Sequence, residues 1–454
     1  MIKVSNLYLP SRLFAIVLVD GILLTAAVFF SLPGLTTAKA ELASVFASIV
    51  FLACFYLFDL YDLDATRRAG DVLLRSLRAL GTGFLLLMPV WAAFVIFRPS
   101  YRILEINLIL FVAILCAYRT ASEWLHHWVF PGKKLLLVGS DPSIDLLASA
   151  LTQKLSLPLK LSAIIPERAA ERTGEQSFAM CEDITKIPAV MSTFRASHVA
   201  IAASIVPQSP LTDELLDLRR QGVRIEDATS LYATITGRIP VGLLNVRRLI
   251  FGRGLASSKS SAILQHVFGC AAASLALFLC APAFLVIAIL IKLDSRGPVF
   301  YKQERIGLNG NSFFVLKFRS MRQDAEISSG PVWASASDNR VTRVGRLLRT
   351  LRLDELPQFI NVLRGDMSLV GPRPERAHFV SMLKREVPFY DLRHSIRPGI
   401  TGWAQVSAGY GATVEESQEK LEYDLFYILN RSLLLDALIV IKTVKIMLCG
   451  KGAR

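Results

Sequence analysis

The sequence predicts a membrane protein of mixed class, helical in its membrane part and α/β beyond it. An N-terminal four-helix transmembrane bundle leads to a Rossmann-like middle domain and then to a C-terminal domain held at the membrane surface. Three observations predict this. The 454 residues are 53% apolar with mean hydropathy +0.45, and apolar stretches of about 20 residues are what cross a hydrocarbon core. Strands alternate with helices after Lys133, the pattern of a parallel sheet. A further apolar segment then precedes a polar, strongly basic region.

Four segments read as spans: Leu13–Leu32, Leu42–Leu60, Leu77–Phe97 and Ile103–Trp124. The connection between the second and third carries Arg67, Arg68, Arg75 and Arg78, whereas that between the first and second has only Lys39. With Lys3 and Arg12 before the set and Lys133 and Lys134 after it, both ends and the middle loop are expected in the cytoplasm. The first apolar segment is too long for a signal peptide and lacks its cleavage site. Asp20 and Glu105 are acids at membrane depth or its edge; Asp20 is expected to pair within the bundle and Glu105 to lie near a helix end. The six cysteines form no CxxC pair, and Cys54, Cys116, Cys270 and Cys280 lie in apolar segments, so packed thiols are expected rather than disulfides or zinc.

Residues 1–130 thus form the bundle, and 131–245 the Rossmann-like domain. Its first turn, Gly139-Ser140-Asp141-Pro142-Ser143, lacks the second and third glycines of GxGxxG, so close approach to a pyrophosphate is not expected. A Gly, Ser and basic linker, 246–262, follows. The apolar segment 266–292 has Pro282 in its middle and lysines on both flanks, Lys259 and Lys292. A fifth spanning helix kinked at proline fits the length. A re-entrant helix–break–helix hairpin fits both the length and the charges. The tail, SLLLDALIVIKTVKIMLCGKGAR, has apolar length but carries Asp436, Lys442 and Lys445, and reads as an interfacial helix.

The net charge of +14 suits anionic lipids and phosphorylated substrates. No helix-turn-helix, zinc or RNA-recognition pattern supports a nucleic acid partner. In RVTRVGRLLRTLRLDE, arginines recur every third residue from Arg340 to Arg352, a broad basic band on a helix. The adjacent acids Asp354 and Glu355 end this helix or its following turn. Neighbours on a helix point about 100° apart, so they divide labour rather than form a symmetric clamp. One carboxylate can attack phosphorus while the other holds a hard cation such as Mg²⁺. Lys317 and Arg319 in KFRSM and Arg373 in GPRP would neutralise phosphate charge.

Four ordered runs carry a resemblance: IKLDSRGPVFYKQERIGLNGNSFFVLKFRSM, LDELPQFINVLRGDMSLVGPRPE, RHSIRPGITGWAQV and EKLEYDLFYILNRSLLLD. From about Cys270 to its end the chain resembles the bacterial sugar transferases, the monotopic phosphoglycosyl transferases. The regions before it resemble the long form of the family, and YATITGRIPV is similar to the subset associated with exopolysaccharide synthesis.

The resemblance implies an α-rich monotopic catalytic domain, 263–454, entered by a re-entrant helix broken at Pro282. It implies transfer of a sugar phosphate from a UDP-sugar to polyprenyl (undecaprenyl) phosphate at the cytoplasmic face of the bacterial inner membrane, with release of UMP. Asp354 is the implied nucleophile, Glu355 the implied Mg²⁺ ligand, and Lys317, Arg319 and Arg373 the implied phosphate and nucleotide contacts. Two positions depart from the family pattern: Ala281 and Arg352 stand where serine is common. His394 matches the RHSIRPG block and is expected to be structural. The sugar and the oligomeric state stay open, a homodimer being suggested by the long form. The competing class is a membrane-anchored scaffold with a decayed catalytic domain, and the intact Asp354, Glu355, Lys317 and Arg373 count against it.

Overall fold

The structure, a computed structural model, describes residues 2–4, 7–9, 11–30, 37–62, 69–93, part of 111–121, 133–153 except 140, 159–165, 179–180, 187–202, 211–244, 259–322, 340–409 and 413–449. The chain divides into two compact units, one of Met1–Lys3 and Tyr8–Leu231, the other of Val4–Leu7 and Tyr232–Arg454. The boundary gives Tyr232–Leu244, which the sequence assigns to the Rossmann-like domain, to the second unit.

In the first unit, helices α1 (Ser11–Phe30), α2 (Thr37–Leu57) and α3 (Ala69–Ala93) are long and apolar enough to cross a membrane. Their shared core includes Leu24, Phe51, Phe55, Ala79 and Leu87. Helix α3 starts well before the expected Leu77. Arg75 and Arg78 are therefore on the helix rather than in the loop before it, and Arg75 bonds the carbonyl of Asp59 at 3.3 Å. The fourth expected span is described only at scattered helical residues, and Glu105 lies outside the described residues. Asp20 is fully buried and pairs with Arg119 at 2.6 Å, while Tyr118 donates to its other oxygen. The guanidinium also donates to the carbonyl of Leu60 at 2.6 Å. A buried carboxylate is tolerated only with such partners.

The same unit contains five parallel strands: β1 (Lys133–Val138), β2 (Leu159–Ile165), β3 (Ala179–Met180), β4 (His198–Ile201) and β5 (Arg224–Asp227). Their order is β3-β2-β1-β4-β5, the Rossmann-like winding that the sequence predicts. Helices α4 (Pro142–Gln153), α5 (Ile187–Phe194) and α6 (Leu211–Arg220) alternate with the strands, and α7 (Ala228–Thr236), after β5, runs across the boundary at Leu231 and Tyr232. At the β1–α4 turn, Asp141 accepts from the backbone N–H of Ser143 at 3.1 Å and from its hydroxyl. The chain's own carboxylate thus caps the N-terminus of α4.

The second unit opens its main body with α8 (Lys259–Asp294), 36 residues long. The segment expected to break at Pro282 is one helical element with the proline inside it; Pro282 supplies no N–H to the carbonyl four residues before, yet turns continue on both sides. Between Ser274 and Pro282 no residue is buried, and Phe278 is 78% exposed. Both ends are packed. Gln265 donates to Asp436 at 2.8 Å and Ala273 joins a core with Val315, Val362 and Met367. Toward the other end, Ile287 and Ile291 pack with Phe318 and Leu348, and Asp294 accepts from the backbone N–H of Val344 at 3.0 Å.

An antiparallel hairpin follows, β6 (Phe300–Ile306) and β7 (Ser312–Phe318), registered from Phe300–Phe318 to Ile306–Ser312. Then come α9 (Arg343–Thr350), α10 (Gln358–Arg364), β8 (Ser368–Val370), α11 (Ala377–Glu386), β9 (Gly399–Thr401), α12 (Trp403–Ser407), α13 (Val414–Leu429) and α14 (Leu433–Leu448). Strands β8 and β9 pair in parallel. Tail helix α14 buries Leu435 and Ile439 while Leu434, Ile441, Val444 and Leu448 stay exposed.

Candidate active site

The turn LDEL explains how two acids are aimed together. Helix α9 ends at Thr350 with Leu351 as its cap, and Arg352 takes the left-handed conformation, φ 55°, before a one-turn 3₁₀ segment, Leu353–Glu355. Side chains three apart eclipse in such a turn. Leu353 and Leu356 therefore share one side and pack on the core of Ile287, Ile291, Phe318 and Leu348. Asp354 and Glu355 fall between these leucines in the turn. The arginines expected on one helix divide: Arg340 precedes α9 and Arg352 follows it. Gly345 lets α9 lie on the KFRSM strand end, since a Cβ there would stand 2.0 Å from the carbonyl oxygen of Ser320.

Lys317 comes from β7, whose neighbours Leu316 and Phe318 are buried, so alternation turns Lys317 the other way. Its Nζ reaches Oε1 of Glu355 at 2.9 Å. Arg373, between two prolines after β8, donates to the same oxygen at 2.7 Å. The structure therefore brings together four of the five residues that the sequence nominates for chemistry. Arg319, expected among the phosphate contacts, lies elsewhere. Its buried guanidinium donates to the carbonyls of Arg296 (2.9 Å), Ser295 (2.7 Å) and Ile291 (3.4 Å) and to the Ser295 hydroxyl (2.9 Å), closing the end of α8 where carbonyls lack helical partners.

The two acids are pushed apart electrostatically. Burial drives the Asp354 carboxyl up, Lys317 partly offsets this, and the neighbouring Glu355 charge drives it up again, with Arg349 and Arg373 opposing. Burial also works against ionised Glu355, but Arg373 and Lys317 together hold it well below the usual carboxylate range. Arg373 is in turn held in its charged form, first of all by Glu355. Glu355 is thus an anion in an ion-pair network, and Asp354, 8% exposed, takes neither of those two bonds.

Among the described residues no group of three or more His, Cys, Asp or Glu forms a cage for a metal. A single carboxylate completed by substrate phosphates is nevertheless a known Mg²⁺ environment. Both cations meet Glu355 at Oε1, leaving Oε2 outside those bonds. The donor set fits a partly substrate-built cation site at Glu355.

Asn361, Arg393 and Asp424, none of them singled out from the sequence, support the strands and turns around this site. Asn361, fully buried on α10, accepts from the N–H of Leu316 at 3.0 Å and donates to the carbonyl of Phe314 at 2.8 Å and to Asp366 at 3.2 Å. It thus fixes the strand that carries Lys317; a lone amide among apolar residues in FINVL was the available signal. Arg393 donates to the main-chain carbonyl of Arg373 at 2.9 Å, to Asp424 at 3.1 Å and to the Tyr390 hydroxyl. Burial lifts Asp424 to about 6 with Arg393 opposing. His394 is buried beside Asp391 at 3.4 Å, and burial, with Arg393 next to it, lowers it to about 4; it takes no part in the cluster around Glu355, as expected of a structural histidine.

Comparison with known proteins bears on the same region. The profile of the family described as "Bacterial sugar transferase" matches residues 260–450. A UDP-glucose:undecaprenyl-phosphate glucose-1-phosphate transferase of Caulobacter vibrioides is 38% identical over 273 residues, 59% of this chain and 94% of the relative. The chain belongs to the bacterial sugar transferase family. A UDP-N-acetylgalactosamine-undecaprenyl-phosphate N-acetylgalactosaminephosphotransferase of Aeromonas hydrophila is 48% identical over 221 residues, 49% of this chain and 51% of the relative, so the chain spans about half the length of that sugar transferase. The exopolysaccharide production protein PSS of Rhizobium leguminosarum bv. phaseoli is 42% identical over 199 residues, 42% of this chain and 98% of the relative.

Proposed function

We propose that this sugar transferase moves a hexose 1-phosphate from a UDP-sugar to undecaprenyl (polyprenyl) phosphate, as the first membrane step in making an exopolysaccharide or related glycan. The observation that carries this is the one turn holding both carboxylates, with Lys317 and Arg373 converging on Glu355 while Asp354 stays more basic beside them. The relatives' names point to the same substrates.

In the first step, an oxygen of Asp354 attacks the phosphorus next to the sugar. The bond from that phosphorus to the UMP oxygen breaks, UMP leaves with the electron pair, and an aspartyl phosphosugar remains. In the second, a phosphate oxygen of the lipid attacks the same phosphorus and the Asp354 carboxylate departs. Arg373 and Lys317 hold Glu355 and present positive charge where phosphate charge gathers. Mg²⁺ held by Glu355 would supply further neutralisation of the diphosphate.

We further read α8 as re-entrant, with the catalytic unit on the cytoplasmic face of the inner membrane. The support is that one folded unit holds both ends of the helix, Gln265 through Asp436 and Asp294 through Val344, while the apolar middle stays unpacked. The test is UMP release by purified protein with Mg²⁺, undecaprenyl phosphate and a panel of UDP-sugars. Turnover with one sugar, lost in Asp354→Asn, is expected. No release from any sugar would overturn the proposal, and turnover surviving in Asp354→Asn would overturn the nucleophile.

A further inference from the structure

We infer that Tyr232–Leu244, which precedes the family-matched residues 260–450, is a strap of the catalytic unit that positions Arg373 through α13. The strap docks by specific polar contacts. The N–H of Ile239 donates to the carbonyl of Glu422 at 3.1 Å and that of Val241 to its carboxylate at 3.1 Å. Arg238 donates to Glu419 at 3.1 Å and to the Tyr232 hydroxyl at 2.7 Å, and lies 4.0 Å from Glu422. The indole N–H of buried Trp403 donates to the carbonyl of Gly237 at 2.6 Å. Gly237 has φ 74°, and a Cβ there would stand 2.8 Å from the indole ring, so only glycine suits both the turn and the contact. Val241 completes the core of Phe379, Leu383, Tyr390, Leu421 and Leu425.

What the strap holds leads to the site. Glu419, Glu422 and Asp424 are on one helix, α13. Asp424 bonds Arg393, and Arg393 bonds the carbonyl of Arg373, whose side chain grips Glu355. Helix α13 joins the two sets of contacts, the strap on Glu419 and Glu422 and Arg393 on Asp424, which makes Arg238 a positioning residue. The Arg393–Asp424 end of this path is buried, with side chains 8% and 2% exposed, and a satisfied buried pair of this kind is rigid.

The inference rests on the proposed activity, and the experiment separates the two. Turnover of the full-length protein is measured for Arg238→Met, Arg238→Lys, Asp424→Asn and the double variant Arg238→Met/Asp424→Asn. The expected result is a loss of about tenfold in kcat/KM for the UDP-sugar in each of Arg238→Met and Asp424→Asn, near-complete rescue in Arg238→Lys, and a double variant no worse than the poorer single one, as for residues acting through one path. Losses that multiply, or an Arg238→Met enzyme equal to wild type, would overturn it. Should Asp424→Asn fail to fold, Tyr390→Phe takes its place, since it removes a hydroxyl that Arg393 binds. If the wild type turns over no UDP-sugar, the functional reading fails while the strap is still tested by hydrogen exchange. Faster exchange of the α13 amides in Arg238→Met supports the strap, and unchanged exchange overturns it.

Discussion

At the scale of residues, the candidate site sets two adjacent acids in different surroundings. Glu355 is kept ionised by two cations on one oxygen, which leaves its neighbour as the basic carboxylate. Asn361 supports the strand end that delivers Lys317. Asn361→Ala would strand the N–H of Leu316 and the carbonyl of Phe314, at about 1–3 kcal/mol for each buried group left unpaired. Thermal unfolding should then fall by roughly 2–4 °C per kcal/mol for a unit of this size, with a parallel loss of turnover; an unchanged midpoint would contradict the role. His394 gives a pH signature. Its folded value is lowered to about 4 from an unfolded value of about 6.5, so the unfolded chain binds the extra proton between those values. Its contribution is complete above about pH 6.5 and is lost as pH falls toward about 4. Replacement by Gln should flatten that part of the stability profile, measured by thermal unfolding across pH; an unaltered slope would contradict the assignment. Asp354, Glu355, Lys317 and Arg373 were legible in the sequence because short motifs fix them. The use of Arg319 on helix-end carbonyls was not, because main-chain acceptors leave no mark in the residue pattern.

At the scale of elements, the apolar segments and the parallel sheet were legible from hydrophobic length and from strands alternating with helices. Their exact limits were not. Helix α3 takes in Arg75 and Arg78, since arginines near a helix end can reach a polar loop such as that of Asp59. The sequence places the strap with the Rossmann-like domain, since its own residues do not disclose the distant acids on α13 that receive it. For α8 the central question is topological. Single cysteines placed at Lys259 and Lys292, in a chain freed of its own thiols, should both react with a membrane-impermeant maleimide from the same side of sealed vesicles. Reaction from opposite sides would show a span and contradict re-entry.

At the scale of the molecule, the membrane helices, the parallel sheet and the sugar transferase unit are joined in one chain, and the reaction is assigned wholly to residues of the second unit. A lipid-linked acceptor suits that assignment, since the turn with the two acids is stapled by Leu353 and Leu356 to the same apolar core as Ile287 and Ile291 of α8. The carboxylates are thereby tied to the helix that we read as entering the membrane. The central claim is that Asp354 carries the phosphosugar between its two substrates. The measurement that tests it most directly is incubation with a UDP-sugar and Mg²⁺ in the absence of lipid acceptor, followed by mass analysis of the peptide containing Asp354. The account predicts a burst of UMP close to one equivalent per enzyme and a hexose phosphate mass on that peptide, both absent in Asp354→Asn. UMP appearing only when the lipid is present, with no adduct at any time, would show direct transfer and contradict it.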